Sequence, residues 1–327
     1  MARRLVSSLY NNLPESLKSN IDERDLLCVQ IAALIHDLGH GPFSHLWDST
    51  VVKNEQGEYW THEKGSCKLF KLLLEEENTV KNKFSEFGIH KTSYIDFVCE
   101  MIESNNSTID NTWNFKSRPE SLAWMFEIVS NKRSGIDVDR LDYLCRDSRK
   151  VGFEQDAQNI TNRYIEFARV NIHPGTKRPI ITIPQKDLKN VWFGIFQLRF
   201  RLHNTLYQHP AVCKIETMYK DVLRLSEGIY LDRPGFEMEL SRMHTNIKKY
   251  AKLNESVFND IAVSTSKEFE KARQLLKRID QRKLYTLIGR VEYATVDIEK
   301  RLCSTENFKE IIEKIVTELG SHGPARK

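Results

Sequence analysis

The chain has 327 residues, of which 40% are hydrophobic and 29% are charged. These proportions are ordinary for a folded globular protein, and they exclude a mostly disordered chain. The formal net charge of +4 is too close to neutral to indicate a polyanionic partner by itself. No apolar run approaches the roughly 18 residues of a membrane span, so we expect no membrane partner.

Helical periodicity dominates the sequence in chain order. We predict a buried helix over Glu23–Leu38, with Asp22 as its N-cap. The other predicted helices cover Thr61–Glu76, Ser93–Glu103, Arg118–Asn131, Ile136–Arg149, Thr161–Val170, Lys186–Gln208, the stretch from Pro210 to Leu225, Glu237–Leu253, Glu255–Val263 and Ser266–Lys277.

Two segments differ from this helical pattern. The turn signal Pro174-Gly175 lies between Val170–Ile172 and Ile180–Ile183, which predicts a β-hairpin. Leu284–Val291 has the composition of a short strand. The predicted fold class is therefore mainly α with a small β-hairpin. We expect a core domain over residues 1–225 and a helical extension with a short strand over residues 226–327.

The six cysteines are scattered along the chain and form no Cys-x-x-Cys pair. Most of them lie beside apolar residues. We therefore interpret them as buried thiols in a reducing compartment, and not as a disulfide framework or a cysteine zinc site. They are Cys28, Cys67, Cys99, Cys145, Cys213 and Cys303.

Three histidines and an aspartate fall within ten residues at the end of the first predicted helix. They are His36, Asp37, His40 and His45. Burying an imidazole and a carboxylate together is costly without a partner, and a bound cation is such a partner. His36 and His40 are one helical turn apart, so they share a face. A single histidine would be explained better as a hydrogen-bonded core residue, but four such groups beside a Gly-Pro turn favour a site.

Two predicted helices present stripes of chemically active residues at i, i+4 and i+8. One stripe consists of Asp139, Tyr143 and Asp147. The other consists of Arg199, His203 and Tyr207, whose cationic and aromatic groups suit a phosphate and a ring. For both stripes a solvated helix face remains the alternative. His62, at a predicted helix start, is either a cap or an acid on sequence grounds.

Together these segments resemble the HD-domain metal-dependent phosphohydrolases, and within them the sterile-alpha-motif and HD-domain deoxynucleoside triphosphate triphosphohydrolases of animals. The resemblance rests on HDLGHGPFSH (36–45), on residues 60–66, on SNKRSGIDVDRLDY (130–143) and on residues 202–209, in that order. It implies a helical HD fold and a divalent metal, which Mn, Fe, Zn or Mg could supply. It also implies hydrolysis of substrates such as dGTP to a deoxynucleoside and inorganic triphosphate.

The resemblance further implies roles for individual residues. The matched metal ligands are His36, Asp37 and Asp139. The matched catalytic residues are His62, near the leaving 5′-oxygen, and His40 and His45, around the α-phosphate. The matched substrate-binding residues are Arg140 and Arg199 for phosphate and Tyr143, Asp147, Tyr207 and Gln208 for the sugar or base. Arg140 stands where the family has a lysine, which keeps the charge but changes its geometry.

The chain also departs from the family pattern. The family has a further metal-ligating histidine upstream, at a position that falls before Met1. We therefore expect the first metal histidine and its N-terminal helix to be missing, and apolar surface on Leu26–Leu38 to be uncovered. Weak or absent activity should follow. We also expect the C-terminal lobe to be truncated. Contacts for GTP or dNTP as allosteric effectors match only in part, because Arg163 fits a family arginine whereas Pro184 replaces one.

Two alternatives to this activity stay open. One is another HD phosphohydrolase, such as a nucleotidase or a cyclic-nucleotide phosphodiesterase. The other is an inactive isoform or paralogue that regulates a full-length partner in an oligomer, or that binds single-stranded nucleic acid through basic clusters such as Lys248-Lys249. The resemblance itself implies a homo-oligomer, a dimer or a tetramer, that is located in the nucleus or the cytoplasm.

Overall fold

The computed structural model describes residues 1–50, 60–104, 112–227 and 239–287, and these residues are mostly helical. The strands of the described residues are β1 (Arg169–Ile172) and β2 (Pro179–Thr182). The α-helices are α1 (Ala2–Asn11), α2 (Glu15–Lys18), α3 (Glu23–Ile35), α4 (His45–Thr50), α5 (His62–Glu76), α6 (Asn78–Glu86), α7 (Thr92–Ile102), α8 (Ala123–Val129), α9 (Val138–Ser148), α10 (Glu154–Phe167), α11 (Gln185–Leu188), α12 (Gly194–Leu202), α13 (Pro210–Leu225), α14 (Ile247–Tyr250), α15 (Ser256–Val263) and α16 (Glu270–Asp280). None of these described helices is long and apolar enough to cross a membrane.

The predicted helix after Asp22 is confirmed as α3, although it ends at Ile35 and not at Leu38. The Asp22 side chain accepts a hydrogen bond from the Arg24 backbone N–H, and Asp25 completes a capping box. Helix α3 packs against α1, α7 and α8. Because neighbours surround it, its sequence is apolar on nearly every face.

Helix α1 was not expected from the sequence, and it precedes α3. Its apolar residues Leu5, Val6 and Leu9 are buried against α3, α8 and α10. Helix α1 covers one face of α3, so the apolar surface on Leu26–Leu38 is not uncovered to the extent expected. The absence of the family's first metal histidine and its helix stays a prediction. Only part of the predicted apolar surface remains exposed, at Leu34 and Leu38.

The predicted β-hairpin is confirmed. Strands β1 and β2 pair antiparallel, with Val170 opposite Ile181. The buried carboxylate of Glu127, on α8, accepts a hydrogen bond from the Ile181 backbone N–H at 2.7 Å and pairs with Arg133 at 2.6 Å. A buried carboxylate requires such partners, so this group fixes the hairpin against α8.

Several helix boundaries differ from the predicted ones. The helix predicted over Thr161–Val170 is α10, which starts earlier because Gly152 adopts a left-handed φ of 79° that ends the preceding turn. The helix predicted over Arg118–Asn131 begins as a 3₁₀ turn at Glu120–Leu122. The helix predicted over Lys186–Gln208 contains two π-helical segments, Lys189–Phe193 and His203–Tyr207.

The last described helices of the chain, α14 to α16, belong to the same compact unit as the helices before them. Helix α16 packs against α13 and α15, and residues 1–283 form one compact unit. The predicted division after residue 225 stays a prediction. Of the strand predicted over Leu284–Val291, residues 284–287 have no regular secondary structure, and residues 288–291 lie outside the described residues.

The cysteine prediction is confirmed for four residues and wrong for one. Cys28, Cys67, Cys99 and Cys145 are buried free thiols. Cys213 is exposed on α13. Cys303 lies outside the described residues.

Candidate functional site

The loop between α3 and α4 lies directly on the backbone of α5. A Cβ atom on Gly39 would meet the His62 carbonyl oxygen at 2.0 Å, so only glycine permits this approach. The Gly39 N–H donates to the Ser66 hydroxyl at 2.8 Å, and that hydroxyl donates to the His36 carbonyl at 2.5 Å. The Tyr250 hydroxyl donates to the Gly39 carbonyl at 2.7 Å. These contacts fix the loop that contains the histidines.

Three of the predicted metal ligands meet in space. His36 Nε2 lies 3.3 Å from Asp37 Oδ1 and 3.5 Å from Asp139 Oδ1. Metal–ligand bonds of roughly 2.1 Å place neighbouring ligand atoms about 3.0–3.4 Å apart, so these separations suit one divalent ion. A pocket of about 490 Å³ opens over the three residues, and Met1 and Arg3 line it as well.

The tautomer of His36 also suits a metal. Its Nδ1 lies 3.0 Å from the Ala33 carbonyl oxygen, so in the neutral ring Nδ1 carries the proton and Nε2 has the lone pair that can bind a metal. Nε2 is buried and has no hydrogen-bond partner among the described residues. Burial disfavours the protonated imidazole, but Asp139 and Asp37 outweigh burial and raise the pKa of His36 to about 9. Two carboxylates around an imidazole thus form a negative site that favours a cation.

The turn before α9 determines the position of Asp139. Asp137 is the N-cap, and its side chain accepts from the Arg140 and Asn131 backbone N–H groups. The Asn131 side chain donates to the Ile136 carbonyl oxygen, and Gly135 adopts a left-handed φ of 68°. The SNKRSGIDVDR motif is therefore a capping turn that starts α9 with Asp139 directed at His36.

A second cluster adjoins the first. Asp48 Oδ2 lies 3.1 Å from His40 Nδ1 and 3.3 Å from His62 Nδ1. The rings of His40 and His62 stack with centroids 3.9 Å apart, and His45 meets His40 edge-on at 4.9 Å. His40 Nε2 is 3.6 Å from Asp37 Oδ1, so His40 links the two clusters.

Asp48 favours the protonated form of His62. Burial raises the pKa of Asp48, but hydrogen bonds with His40 and His62 outweigh burial and lower this pKa to about 2. Burial likewise disfavours the charged form of His62, but Asp48 and Glu63 outweigh it and raise the pKa of His62. His62 is therefore suited to donate a proton near neutral pH.

The predicted phosphate-binding arginines lie in one positively charged region. The Arg140 guanidinium sits 5.5 Å from the centroid of the Phe196 ring. Burial and the charges of Arg199 and Arg140 lower the pKa of His203. The Nε atoms of both arginines are buried without a hydrogen-bond partner among the described residues. Unpaired buried guanidinium nitrogens are suited to receive an anion.

The predicted sugar-binding residues are brought together in part. The Tyr207 hydroxyl donates to Asp147 Oδ2 at 2.5 Å, and the Tyr207 ring lies 6.5 Å from that of Tyr143. Gln208 is exposed, and its side chain has no hydrogen-bond partner among the described residues. The structure therefore groups Tyr143, Asp147 and Tyr207, but it does not bring Gln208 into this group.

Sequence reasoning missed Asp48, Ser66 and Tyr250. Asp48 lies three residues beyond His45 on α4, and that spacing was the available signal. Ser66 and Tyr250 have no local signature, because their partners His36 and Gly39 are distant in the chain.

Comparison with known proteins agrees with this geometry. Residues 3–147 match the HD domain. The chain is 37% identical over 298 residues to human "Deoxynucleoside triphosphate triphosphohydrolase SAMHD1". The aligned residues make up 89% of this chain and 46% of the human protein. It is 34% identical over 323 residues to the cattle protein of the same name, with 97% and 52% covered. A Dictyostelium discoideum SAMHD1 homolog is 28% identical over 295 residues, with 90% and 50% covered. The chain thus spans about half the length of these relatives. It resembles HD domains over residues 3–147, and over most of its length it resembles the SAMHD1 deoxynucleoside triphosphate triphosphohydrolases.

Proposed function

We propose that this chain is a metal-dependent phosphohydrolase that cleaves deoxynucleoside triphosphates to a deoxynucleoside and inorganic triphosphate. The observation that supports this most is the contact between two clusters. The His36, Asp37 and Asp139 group adjoins the His40, Asp48 and His62 group through the 3.6 Å approach of His40 to Asp37. Metal and acid functions would then act on one phosphorus.

His36, Asp37 and Asp139 would hold the divalent ion, which would polarise the α-phosphoryl group when bound. Three protein ligands are the usual number at a catalytic metal. His62 would donate its proton to the departing 5′-oxygen, whose alkoxide is too basic to leave unaided. Asp48, 3.3 Å from His62 Nδ1, favours the protonated form of His62 and would orient its ring. His40 and His45 would surround the α-phosphate.

Arg140 and Arg199 would bind the triphosphate. Their buried Nε atoms would gain the partners that they lack among the described residues. Tyr207, held by Asp147 and close to Tyr143, would contact the sugar and favour deoxyribose. Because Gln208 is exposed, its role at the sugar or base is the least supported of the substrate contacts.

The direct test is product analysis. Purified protein is incubated with dGTP, with and without added Mn²⁺ and GTP, and the products are separated by ion exchange. Release of deoxyguanosine and intact triphosphate, lost in His36→Ala and Asp37→Ala, supports the proposal. Monophosphate or orthophosphate release would indicate another HD phosphohydrolase. No turnover by folded protein would favour the inactive, regulatory form.

Oligomerisation, effector binding and location are secondary proposals. We propose a homo-oligomer, which is supported by an exposed apolar ridge at Trp192, Phe193 and Phe200. For GTP or dNTP effectors, Arg163 is available only if it leaves Asp187, which it contacts at 2.7 Å. Light scattering with and without GTP tests both. Single-stranded nucleic-acid binding, a C-terminal truncation and a nuclear or cytoplasmic location stay predictions.

A further inference from the structure

Helices α5 and α7 bring two buried cysteines together outside the two histidine clusters described above. The Cys67 thiol donates to the Cys99 carbonyl oxygen at 3.6 Å. Cys67 is 3% exposed and Cys99 is 7% exposed. One turn further along both helices, Lys71 lies 4.0 Å from Asp96. The cysteine pair is thus part of a regular contact between the helices, and not an accidental approach of two mobile side chains.

We propose that Cys67 and Cys99 form a redox-active dithiol, which a peroxide converts to an intramolecular disulfide that joins α5 to α7. A disulfide requires Cα atoms roughly 4.4–6.8 Å apart and side chains that point at each other. The 3.6 Å contact of the Cys67 sulfur with the Cys99 backbone places the two cysteines side by side at the contact between the helices. The inference does not depend on the proposed enzymatic function.

The electrostatics divide the roles of the two sulfurs. The Cys99 side chain and burial raise the pKa of Cys67. The Cys67 side chain and the nearby Lys71 charge outweigh burial and lower the pKa of Cys99. Cys99 is therefore the better nucleophile, since the thiolate is the reactive form. A cavity of about 510 Å³, whose lining includes Lys71, Ile95 and Asp96, lies one helical turn from the cysteine pair.

The chemistry balances with hydrogen peroxide as the oxidant. The Cys99 thiolate attacks one peroxide oxygen, so that an S–O bond forms, the O–O bond breaks, and the leaving hydroxide takes a proton to become water. Cys67 then attacks the Cys99 sulfur, the S–S bond forms, and the S–O oxygen leaves as a second water with the Cys67 proton. Two thiols are oxidised by two electrons in total, and the peroxide is reduced to two waters.

The location of the bond gives it a structural consequence. Cys67 directly follows Ser66, whose hydroxyl binds the His36 carbonyl and the Gly39 N–H. Helix α5 also starts with His62. A disulfide at Cys67 would therefore constrain the helix on which the loop of histidines is anchored.

The test uses the full chain and peptide mapping. Reduced native protein is treated with hydrogen peroxide, unfolded in N-ethylmaleimide, digested, and analysed by mass spectrometry without reductant. We expect loss of both free thiols, a Cys67–Cys99 linked peptide lacking two hydrogens, and return of both thiols with dithiothreitol. Cys28 and Cys145, equally buried but outside this pair, serve as internal controls and should remain alkylated.

Two variants make the test specific. Cys213→Ser removes an exposed thiol that could cross-link two chains, and it should leave the Cys67–Cys99 peptide unchanged. Cys99→Ala should leave Cys67 without a disulfide partner. The proposal is overturned if peroxide oxidises Cys213 while Cys67 and Cys99 are both recovered as maleimide adducts. It is also overturned if each of the pair is found only as a separate sulfinic or sulfonic acid.

Discussion

Replacing Asp48 with asparagine isolates the part of the site that sequence reasoning missed. Asp48 Oδ2 lies 3.3 Å from His62 Nδ1, and the side chains are each 23% exposed. An opposite charge at this range shifts a pKa by about 1–3 units. Because water reaches both groups and screens them, we expect Asp48→Asn to lower the pKa of His62 by an amount at the lower end of that range.

The direction of the change in activity follows from which form of His62 acts. As a general acid His62 is active when protonated, so activity is lost as the pH rises through its pKa. Asp48→Asn should therefore move the alkaline limb of the kcat/KM profile to lower pH by the same amount. The stability that the raised His62 pKa contributes is fully present below the unfolded pKa of 6.5, and it is lost as the pH rises through the folded value.

Two measurements check this prediction. A pH series of dGTP hydrolysis gives the alkaline limb, and histidine NMR titration gives the pKa of His62 directly, even in protein without turnover. His62→Gln assigns the resonance. Asp96→Asn, which removes a carboxylate on α7 that pairs with Lys71, is the matched control and should shift neither quantity. An unchanged His62 pKa in Asp48→Asn would refute the role assigned to Asp48.

Three further predictions test the loop, the metal and the sugar contact. Gly39→Ala places a Cβ 2.0 Å from a backbone oxygen, and it should lower the free energy of unfolding in urea by about 3 kcal/mol or more. The control Gly152→Ala, whose Cβ would have no atom within 4 Å, should lower the free energy of unfolding by only about 1 kcal/mol, because of its positive φ. Chelation should lower the melting temperature of wild-type protein but not of His36→Ala, with bound metal measured by mass spectrometry. Tyr207→Phe removes the 2.5 Å hydrogen bond to Asp147, and it should lower kcat/KM for dGTP about tenfold. It should also reduce the preference for dGTP over GTP as a substrate. An equal loss of kcat/KM for both nucleotides would contradict the assignment of Tyr207 to the sugar.

Much of the fold was predictable because its signals are local. The cap at Asp22 and the turn at Pro174-Gly175 each depend on neighbouring residues, and α3 and the hairpin formed as expected. Helix α1 escaped prediction, because its three buried residues form only a short apolar stripe whose partners come from α3, α8 and α10. The π-helical segments were not predicted either, because their sequence is equally compatible with an ordinary α-helix.

The candidate site, like the fold, was predictable where its signals are local in the sequence and not where they depend on distant residues. His36 and Asp37 are adjacent in the chain, and the family resemblance matched Asp139 to them, so one cluster was predicted. Their separations in space, and the tautomer that directs His36 Nε2 at the two carboxylates, required the fold. Asp48 needed the fold too, because one aspartate on a short helix is unremarkable until two imidazoles converge on it.

The alignment of the two clusters depends on Ser66. Its hydroxyl receives the Gly39 N–H and donates to the carbonyl of His36, while its own helix starts at His62. The loop that contains His36 and Asp37 and the helix that starts at His62 are therefore joined by two hydrogen bonds and by a glycine contact that no larger residue permits. Catalytic groups lose rate steeply when misplaced by about 1 Å. Under the proposed function, the small buried hydroxyl of Ser66 would therefore set the distance between the metal ligands and the acid.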